Sequence, residues 1–454
     1  MLSEYLGLKK KDSSNRKHKN HKSIQKGVLM MLRPKISPMG WNSWDCYGAA
    51  VTEKEVRQNA EFMAVNLKKY GWEYVVVDIQ WYEPGATSHE YRPFADLCMD
   101  EYGRLLPAPN RFPSAAGGRG FAPLAEYVHS LGLKFGIHIM RGIPRQAVHG
   151  NFPVFGTDQT ARDAARFNSI CAWNPDMYGV KANDAGRAYY ASIFQLYAQW
   201  GVDFIKCDDI CRELPHEEEE LRVLSEAVNH CGRDMILSLS PGPALLEKAE
   251  LYKQVANMWR ITDDFWDEWQ LLYAMFERAE KWSSHAGAGH FPDADMLPIG
   301  PIRQDMDKSN RTAFTHDEQL TMMTLWSMMR SPLMIGGEMT EFDGFTMKLI
   351  TNEGVLRMHR NSRNARQVFR RCLDGNEFIV WVAGDCEDGM YAAIFNTGEE
   401  SGRIAFLPEE LELYGQAYKA AELWSGETTE FRDSISAQVP AHGVKVFYIN
   451  DNQP

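Results

Sequence analysis

The chain has 454 residues, 44% of them apolar and 24% charged, and a formal net charge of −12. That length suits a barrel plus one smaller domain better than a single ordinary domain. The acidic balance argues against nucleic acid as a partner, since phosphate binding needs a basic surface. The apolar runs fall well short of the roughly 20 residues that span a bilayer, so no membrane partner is expected.

Residues 1–30 are the exception to the acidic balance. They carry Lys9, Lys10, Lys11, Arg16, Lys17, Lys19, Lys22 and Lys26 against Glu4 and Asp12. No apolar stretch of the secretory kind follows, so the segment reads as a basic, disordered tail rather than a signal. Eight cysteines are scattered without a framework, and Cys207 and Cys211 have no second pair or His cluster to complete a zinc pattern. Reduced thiols in a cytoplasmic protein are expected, with no metal and no cofactor. A homo-oligomer would be ordinary at this size.

From residue 31 to about 350 the spacing predicts eight short strands: Ile36–Trp41, Tyr74–Trp81, Lys134–Met140, Phe204–Ile210, Met235–Ser240, Met258–Asp264, Ala294–Gly300 and Ser331–Gly337. Near-continuous apolar runs such as Tyr74-Val-Val-Val-Asp78 suit strands buried on both faces. Helical patterns lie between them. Thr52 and Glu55 form a capping box ahead of Val56, Ala60, Met63 and Leu67 on one face, with Gly71 beyond. Tyr189–Trp200, Glu217–His230, Leu245–Met258 and Asp317–Arg330 behave similarly. This alternation predicts an α/β fold, a (β/α)8 TIM barrel. No Gly-rich dinucleotide fingerprint follows the first strand.

Long inserts follow the second strand (Tyr82–Leu133) and the third, on the face where barrel enzymes build their sites. From 351 to 454 the pattern becomes strand-like without intervening helices: Arg366–Cys372, Phe378–Val382, Met390–Phe395, Lys419–Trp424 and Val444–Tyr448, with turns at Asp374-Gly375 and Ser425-Gly426. A C-terminal antiparallel β-sandwich is expected.

Polar residues gather at the C-terminal ends of the predicted strands: Asp78, His138, Lys206 with Asp208 and Asp209, Ser240, and Arg260 with Asp263 and Asp264, while Trp44 and Asp45 follow the first strand. Burying a bare carboxylate is costly, so one such residue is readily structural. Five strand ends converging on one mouth point to chemistry. Two carboxyl groups about 5–5.5 Å apart are what retaining cleavage of a glycosidic bond requires, one attacking the anomeric carbon and the other protonating the leaving oxygen. Lys206, two residues before Asp208 on the same strand face, favours an ionised nucleophile there.

These residues resemble glycoside hydrolase family 27, the α-galactosidase family. Met39-Gly-Trp-Asn-Ser-Trp-Asp45 looks like its opening motif, Lys206-Cys-Asp208 like its nucleophile motif, and Trp259-Arg260 with Asp264 like its acid/base segment. Asp293-Ala-Asp295-Met-Leu and Ser331-Pro-Leu fit the later pattern. The resemblance implies Asp208 as nucleophile and Asp264 as general acid/base. Asp263 is the rival, which strand alternation would point the other way. By the same resemblance Trp44 stacks on the sugar, Asp78 holds ring hydroxyls, and Lys206 and Arg260 bond hydroxyls near the reaction centre. His138 stands where the family often has Tyr, and Ser240 near the residues that read the sugar's 2-position.

One departure bears on substrate. The family's α-galactosidases carry Asp-Asp at the end of strand two, where this chain has Asp78-Ile79. The second Asp accepts hydrogen bonds from the hydroxymethyl side of galactose, which Ile79 cannot do. β-L-Arabinopyranose has the same ring stereochemistry without that group, and family members with this Ile prefer β-L-arabinopyranosides. A retaining exo-glycosidase is expected, acting on small or oligosaccharide glycosides and favouring terminal β-L-arabinopyranosyl over α-D-galactosyl residues. The alternatives are an ordinary α-galactosidase, an α-N-acetylgalactosaminidase, and a sugar-binding protein without catalysis.

Overall fold

The computed structural model describes residues 33–87, 89–213, 217–304 and 310–451. The basic tail predicted for residues 1–30 lies outside them.

Eight parallel strands form one sheet: β1 Met39–Asn42, β2 Tyr74–Val77, β3 Lys134–Met140, β4 Phe204–Asp208, β5 Ile236–Leu239, β6 Met258–Arg260, β7 Phe291–Asp293 and β8 Leu333–Ile335. Each pairs with the next from β1 to β7, and β8 pairs back onto β1. The gap between β7 and β8 is bridged by Leu297, whose N–H donates to Met334 O at 2.8 Å and whose carbonyl accepts from Gly336 N at 2.9 Å. This is the closed barrel that the alternation of strands and helices predicts.

The seventh strand differs from expectation. Ala294–Gly300 is a loop, and the strand is Phe291–Asp293. Asp295 has a φ of +79°, which breaks an extended run, and Pro292, lacking an N–H, reads against a ladder position. The sixth strand also stops early, at Arg260, so Asp263 and Asp264 sit on a loop beyond it.

The helices follow the predicted pattern. α1 (Glu53–Asn66) opens on the capping box, the Thr52 N–H donating to Glu55 Oε2 at 2.7 Å. The chain leaves a short 3-10 turn through Gly71 at φ +102°. α2 (Ala122–Ser130), α3 (Asp184–Trp200), α4 (Glu217–Asn229), α5 (Ala249–Val255), α6 (Trp269–Trp282) and α7 (His316–Met329) continue round the barrel. Within the insert after β3, strands 143–144, 165–170 and 177–180 make a small separate sheet.

Alternation divides each barrel strand. Tyr74, Val76, Phe204, Ile236, Met258, Phe291 and Met334 form an apolar cluster of their own. Two or four residues further along the same strand faces come Asp78, Lys206, Asp208, Ser238, Ser240, Arg260 and Asp293. An apolar plug thus underlies a polar mouth at the C-terminal ends of the strands, where barrel sites form.

α8 (Gly344–Thr351) and α9 (Glu353–Asn361) lead to the second unit of sheet. Its strands are β9 Ser362–Leu373, β10 Asn376–Asp385, β11 Met390–Asn396, β12 Gly402–Phe406, β13 Tyr418–Glu422, β14 Thr428–Phe431, β15 Ile435–Val439 and β16 Val444–Asp451. Six pair antiparallel in the order β9-β10-β11-β16-β13-β14, and β12 pairs with β15. The Asp374-Gly375 turn joins β9 to β10 with both residues at positive φ, as a tight hairpin requires. On β10, Phe378, Val380 and Val382 face the sandwich interior. Ile379 and Trp381 belong to the barrel's core instead, so the large sheet is buried on both faces. Phe276 of α6 meets Phe395 edge-on at 4.9 Å.

Candidate active site

Asp78 and Asp208 are the anchors of the mouth. Asp78 Oδ2 accepts from Lys206 Nζ at 2.8 Å and from Asn42 Nδ2 at 2.7 Å. Its Oδ1 accepts from the Ile79 N–H at 2.8 Å. Burial disfavours the charge on Asp78, but Lys206, His138 and these hydrogen bonds together hold its carboxyl below the ordinary value. Lys206 is in turn held charged: burial works against it, and Asp78 and Asp208 overcome that.

Asp208, the last residue of β4, is bonded on both oxygens. Oδ2 lies 2.9 Å from His138 Nε2, and Oδ1 accepts from Ser240 Oγ at 3.0 Å and from the Asp209 N–H at 3.1 Å. Burial again opposes ionisation, but the His138 hydrogen bond and the charges of His138, Lys206 and Arg260 hold Asp208 well below the usual carboxylate range. A carboxylate that stays ionised while largely buried, its side chain 12% exposed, is suited to attack an electrophilic carbon.

Asp264 contrasts with it. Its side chain is 56% exposed and, among the described residues, bonded to one group, Arg260 Nη2 at 2.9 Å. Arg260 is also ion-paired to the buried Asp295. Burial and neighbouring carboxylates push Asp295 up to about 6, against the pull of Arg260. The guanidinium therefore spans the buried Asp295, whose carboxyl is raised, and the open Asp264.

Trp44, Asp78, Lys206, Asp208 and Asp264 line one cavity of about 380 Å3. His138, Ser240 and Arg260 stand behind the wall, each bonded to an aspartate that lines it. Ile79 does not line the cavity: the residue is 1% exposed and packs in the apolar core beside Asp78. Asp263 shares the cavity with Asp264, because both follow the end of β6 and strand alternation does not govern them.

Tyr91, Trp173, Arg212 and Pro241 also line the cavity, and sequence reasoning missed them. Tyr91 and Trp173 come from the two long inserts, where no periodicity fixes orientation. Together with Trp44 they make an aromatic wall: Trp44 stacks on Tyr91 at 5.8 Å and 13°, and Tyr91 meets Trp173 at 5.5 Å. The one available signal was aromatic residues in inserts on the catalytic face.

The α-galactosidase A family matches residues 36–185 and 184–361, and its C-terminal β-sandwich domain matches 375–449. The chain belongs to glycoside hydrolase family 27. This family 27 chain is similar to a family 27 β-L-arabinopyranosidase from Geobacillus stearothermophilus: 53% identity, TM-score 0.89, covering 92% of this chain and 97% of that one. A variant of that enzyme, with an aspartate replaced by alanine, has been solved with arabinose. A Bacillus halodurans structure provisionally described as an α-N-acetylgalactosaminidase is 47% identical, with a TM-score of 0.83 over 93% of this chain and 100% of that one. The α-galactosidase of Coffea arabica is 27% identical over 415 residues, 91% of this chain and 93% of its own. The family 27 chain is a glycosidase, a hydrolase of O-glycosyl bonds.

Proposed function

We propose that the chain is a retaining exo-glycosidase that releases terminal β-L-arabinopyranosyl residues in preference to α-D-galactosyl ones. Asp208 is the nucleophile and Asp264 the general acid/base. The observation that carries the reading is the contrast between the two: Asp208 buried, bonded on both oxygens and held ionised, Asp264 open to the cavity and bonded, among the described residues, through Arg260. Asp208 attacks the anomeric carbon while Asp264 protonates the departing oxygen. Asp264 then takes a proton from the water that releases the sugar. Neutralising Asp208 in the covalent intermediate removes a negative charge from the mouth as Asp264 changes role.

The cavity is near the small end of the roughly 300–1,000 Å3 usual for ligand sites, as expected for one terminal sugar and the start of its aglycone. Trp44 offers an aromatic face to the ring, and Asp78 with Lys206 a hydrogen-bonding pair for its hydroxyls. The arabinopyranoside preference rests on Ile79, which leaves no acceptor beside Asp78, and on the likeness to the Geobacillus arabinopyranosidase. A lost hydrogen bond to a charged group is worth about 1.5–3 kcal/mol, a preference on the order of 10–200-fold. The division into a tail at 1–30, a catalytic barrel at 31–350 and a sandwich at 351–454 belongs to the same proposal. So does a cytoplasmic location, favoured by eight unpaired cysteines.

The second reading is an ordinary α-galactosidase, favoured by the names of the curated relatives. Comparing kcat/KM on p-nitrophenyl β-L-arabinopyranoside and α-D-galactopyranoside separates them. The proposal expects the arabinopyranoside to win by at least tenfold. A galactoside preference would transfer the assignment to the second reading.

A further inference from the structure

The described residues hold a second, larger cavity, of about 640 Å3, remote from the aspartates. Its walls include Ile36 ahead of β1, Ala288 ahead of β7 and Arg330 ahead of β8, which places it at the N-terminal ends of the barrel strands. Residues 360–365, where α9 passes into β9, close the other side.

Its lining carries four cations, Lys35, Arg330, Arg360 and Arg363, and no Asp or Glu. Among the described residues none of the four has a carboxylate within 4.0 Å. This is unusual in a chain of net charge −12. Arg330 Nη2 donates to Lys35 O at 2.8 Å, while its Nε is buried without a partner. Burial lowers the pKa of Arg330, and repulsion from Arg363 adds to this against a contribution from Cys386. Helix dipoles explain part of the cluster, since Arg330 caps the carboxyl end of α7 and Arg360 lies in the last turn of α9. They do not explain Lys35 or Arg363, which lie outside both helices.

We infer that this cleft binds the phosphate group of a small organic molecule. Guanidinium groups that no described carboxylate neutralises, Arg330 on the barrel side and Arg360 with Arg363 on the other, match the several oxygens of a phosphate, and arginine is the side chain best shaped for that recognition. Bringing like charges together round one cleft costs free energy that a bound dianion removes. The cleft is larger than an inorganic ion requires, and Ile36, Met328 and Ala288 give it an apolar wall for the rest of a phosphate ester. The site lies at the opposite end of the strands from Asp208, so its ligand acts as an effector or stabiliser and not as substrate.

Titration calorimetry on the full chain, with inorganic phosphate and pyrophosphate at ionic strength matched by sodium chloride, tests this. Saturable binding of both is expected, with pyrophosphate tighter. Arg360→Gln with Arg363→Gln weakens it at least tenfold and leaves kcat/KM on the glycoside unchanged. Arg363→Glu alone, at an exposed position, gives the same loss if the pair disturbs folding. Heats no larger than the chloride control, or binding undiminished in both variants, would overturn the inference. So would sedimentation showing that the wild type self-associates through this face and Arg363→Glu does not, since a second copy would then fill the cleft.

Discussion

His138 Nε2 lies 2.9 Å from Asp208 Oδ2, and this is the imidazole's one side-chain hydrogen bond among the described residues. An ionised carboxylate only accepts, so Nε2 carries the hydrogen and donates it. The ring is buried, and the Trp81 indole N–H donates to His138 O at 2.7 Å, fixing the strand beside it. A buried donor with one target pre-orients that target, so Asp208 is aimed before substrate arrives.

Replacing His138 by Phe removes that bond without emptying the space. Asp208 loses the hydrogen bond and the electrostatic contribution of His138 that hold it low, so its carboxyl rises. The acidic limb of the kcat/KM profile then moves to higher pH, and kcat falls by about 10–100-fold, in line with a lost hydrogen bond to a charged group. A pH–rate profile on His138→Phe checks this. An unmoved acidic limb would mean the contact is only structural.

Lys206→Met leaves Asp78 buried beside Asn42 with no cation. Breaking a buried ion pair from one side costs about 3–5 kcal/mol, and Lys206→Met with Asp78→Asn should recover part of that. Chemical denaturation of the single and double variants measures both. Equal destabilisation by the two would show that the pair does not interact.

Acid stability follows from the same carboxylates. Asp78 and Asp208 are held below their ordinary values, so the folded chain binds fewer protons than the unfolded one in acid. Their stabilisation is complete above the unfolded carboxyl pKa, about 3.9, and is lost as pH falls through the lowered folded values. The Tm should therefore drop steeply below about pH 4, and less steeply in Asp78→Asn. Parallel Tm–pH curves for the two proteins would contradict this.

Asp45 works in the opposite direction. Burial, together with the charges of Asp295 and Asp264 against those of Lys206 and Arg260, pushes its carboxyl well above the ordinary value. Its Oδ2 has no hydrogen-bond partner among the described residues. The folded state retains a proton that the unfolded chain releases, so this contribution is lost as pH rises through the folded pKa. Asp45→Asn, which mimics the protonated acid, should raise the Tm more at pH 8 than at pH 5. Scanning calorimetry at both values checks the difference, and a uniform loss would show that Asp45 is needed ionised.

Burying a bare carboxylate in the core is costly, so the side chain of Ile79→Asp should turn out to the cavity beside Asp78 and raise the galactoside-to-arabinopyranoside ratio of kcat/KM about tenfold or more, the range of one charged hydrogen bond. Ile79 itself is buried, so the variant will also lose stability. Both substrates are read on the same folded fraction, so the ratio is unaffected by that loss. An unchanged ratio would remove Ile79 from the account of specificity.

The barrel was legible because strands buried on both faces leave apolar runs and the helices between them leave a 3.6 period. Lys134–Met140 matches its predicted bounds residue for residue. The seventh strand was obscured by Pro292 and by the left-handed Asp295, where local chemistry serves the Arg260 ion pair and not the pattern. In the sandwich the strands over 402–406, 428–431 and 435–439 escaped notice, being short and partly exposed. At the site, residues on barrel strands could be placed because β geometry fixes where they point. Tyr91, Trp173 and Arg212 could not, since loops set their orientation by tertiary packing. Ile79 shows the limit from the other side: its position was readable, but not that its side chain would turn from the cavity into the core.

The most direct test of the central claim is mass spectrometry of the Asp264→Gly variant mixed with 2,4-dinitrophenyl β-L-arabinopyranoside. The activated leaving group needs no acid, so Asp208 can still attack, while hydrolysis of the intermediate lacks its base. The account predicts a chain heavier by one arabinopyranosyl residue, mapped to the peptide bearing Asp208 and absent when Asp208 is also replaced by Ala. An adduct on another residue, or rapid release of the phenol with the protein unmodified, would contradict it.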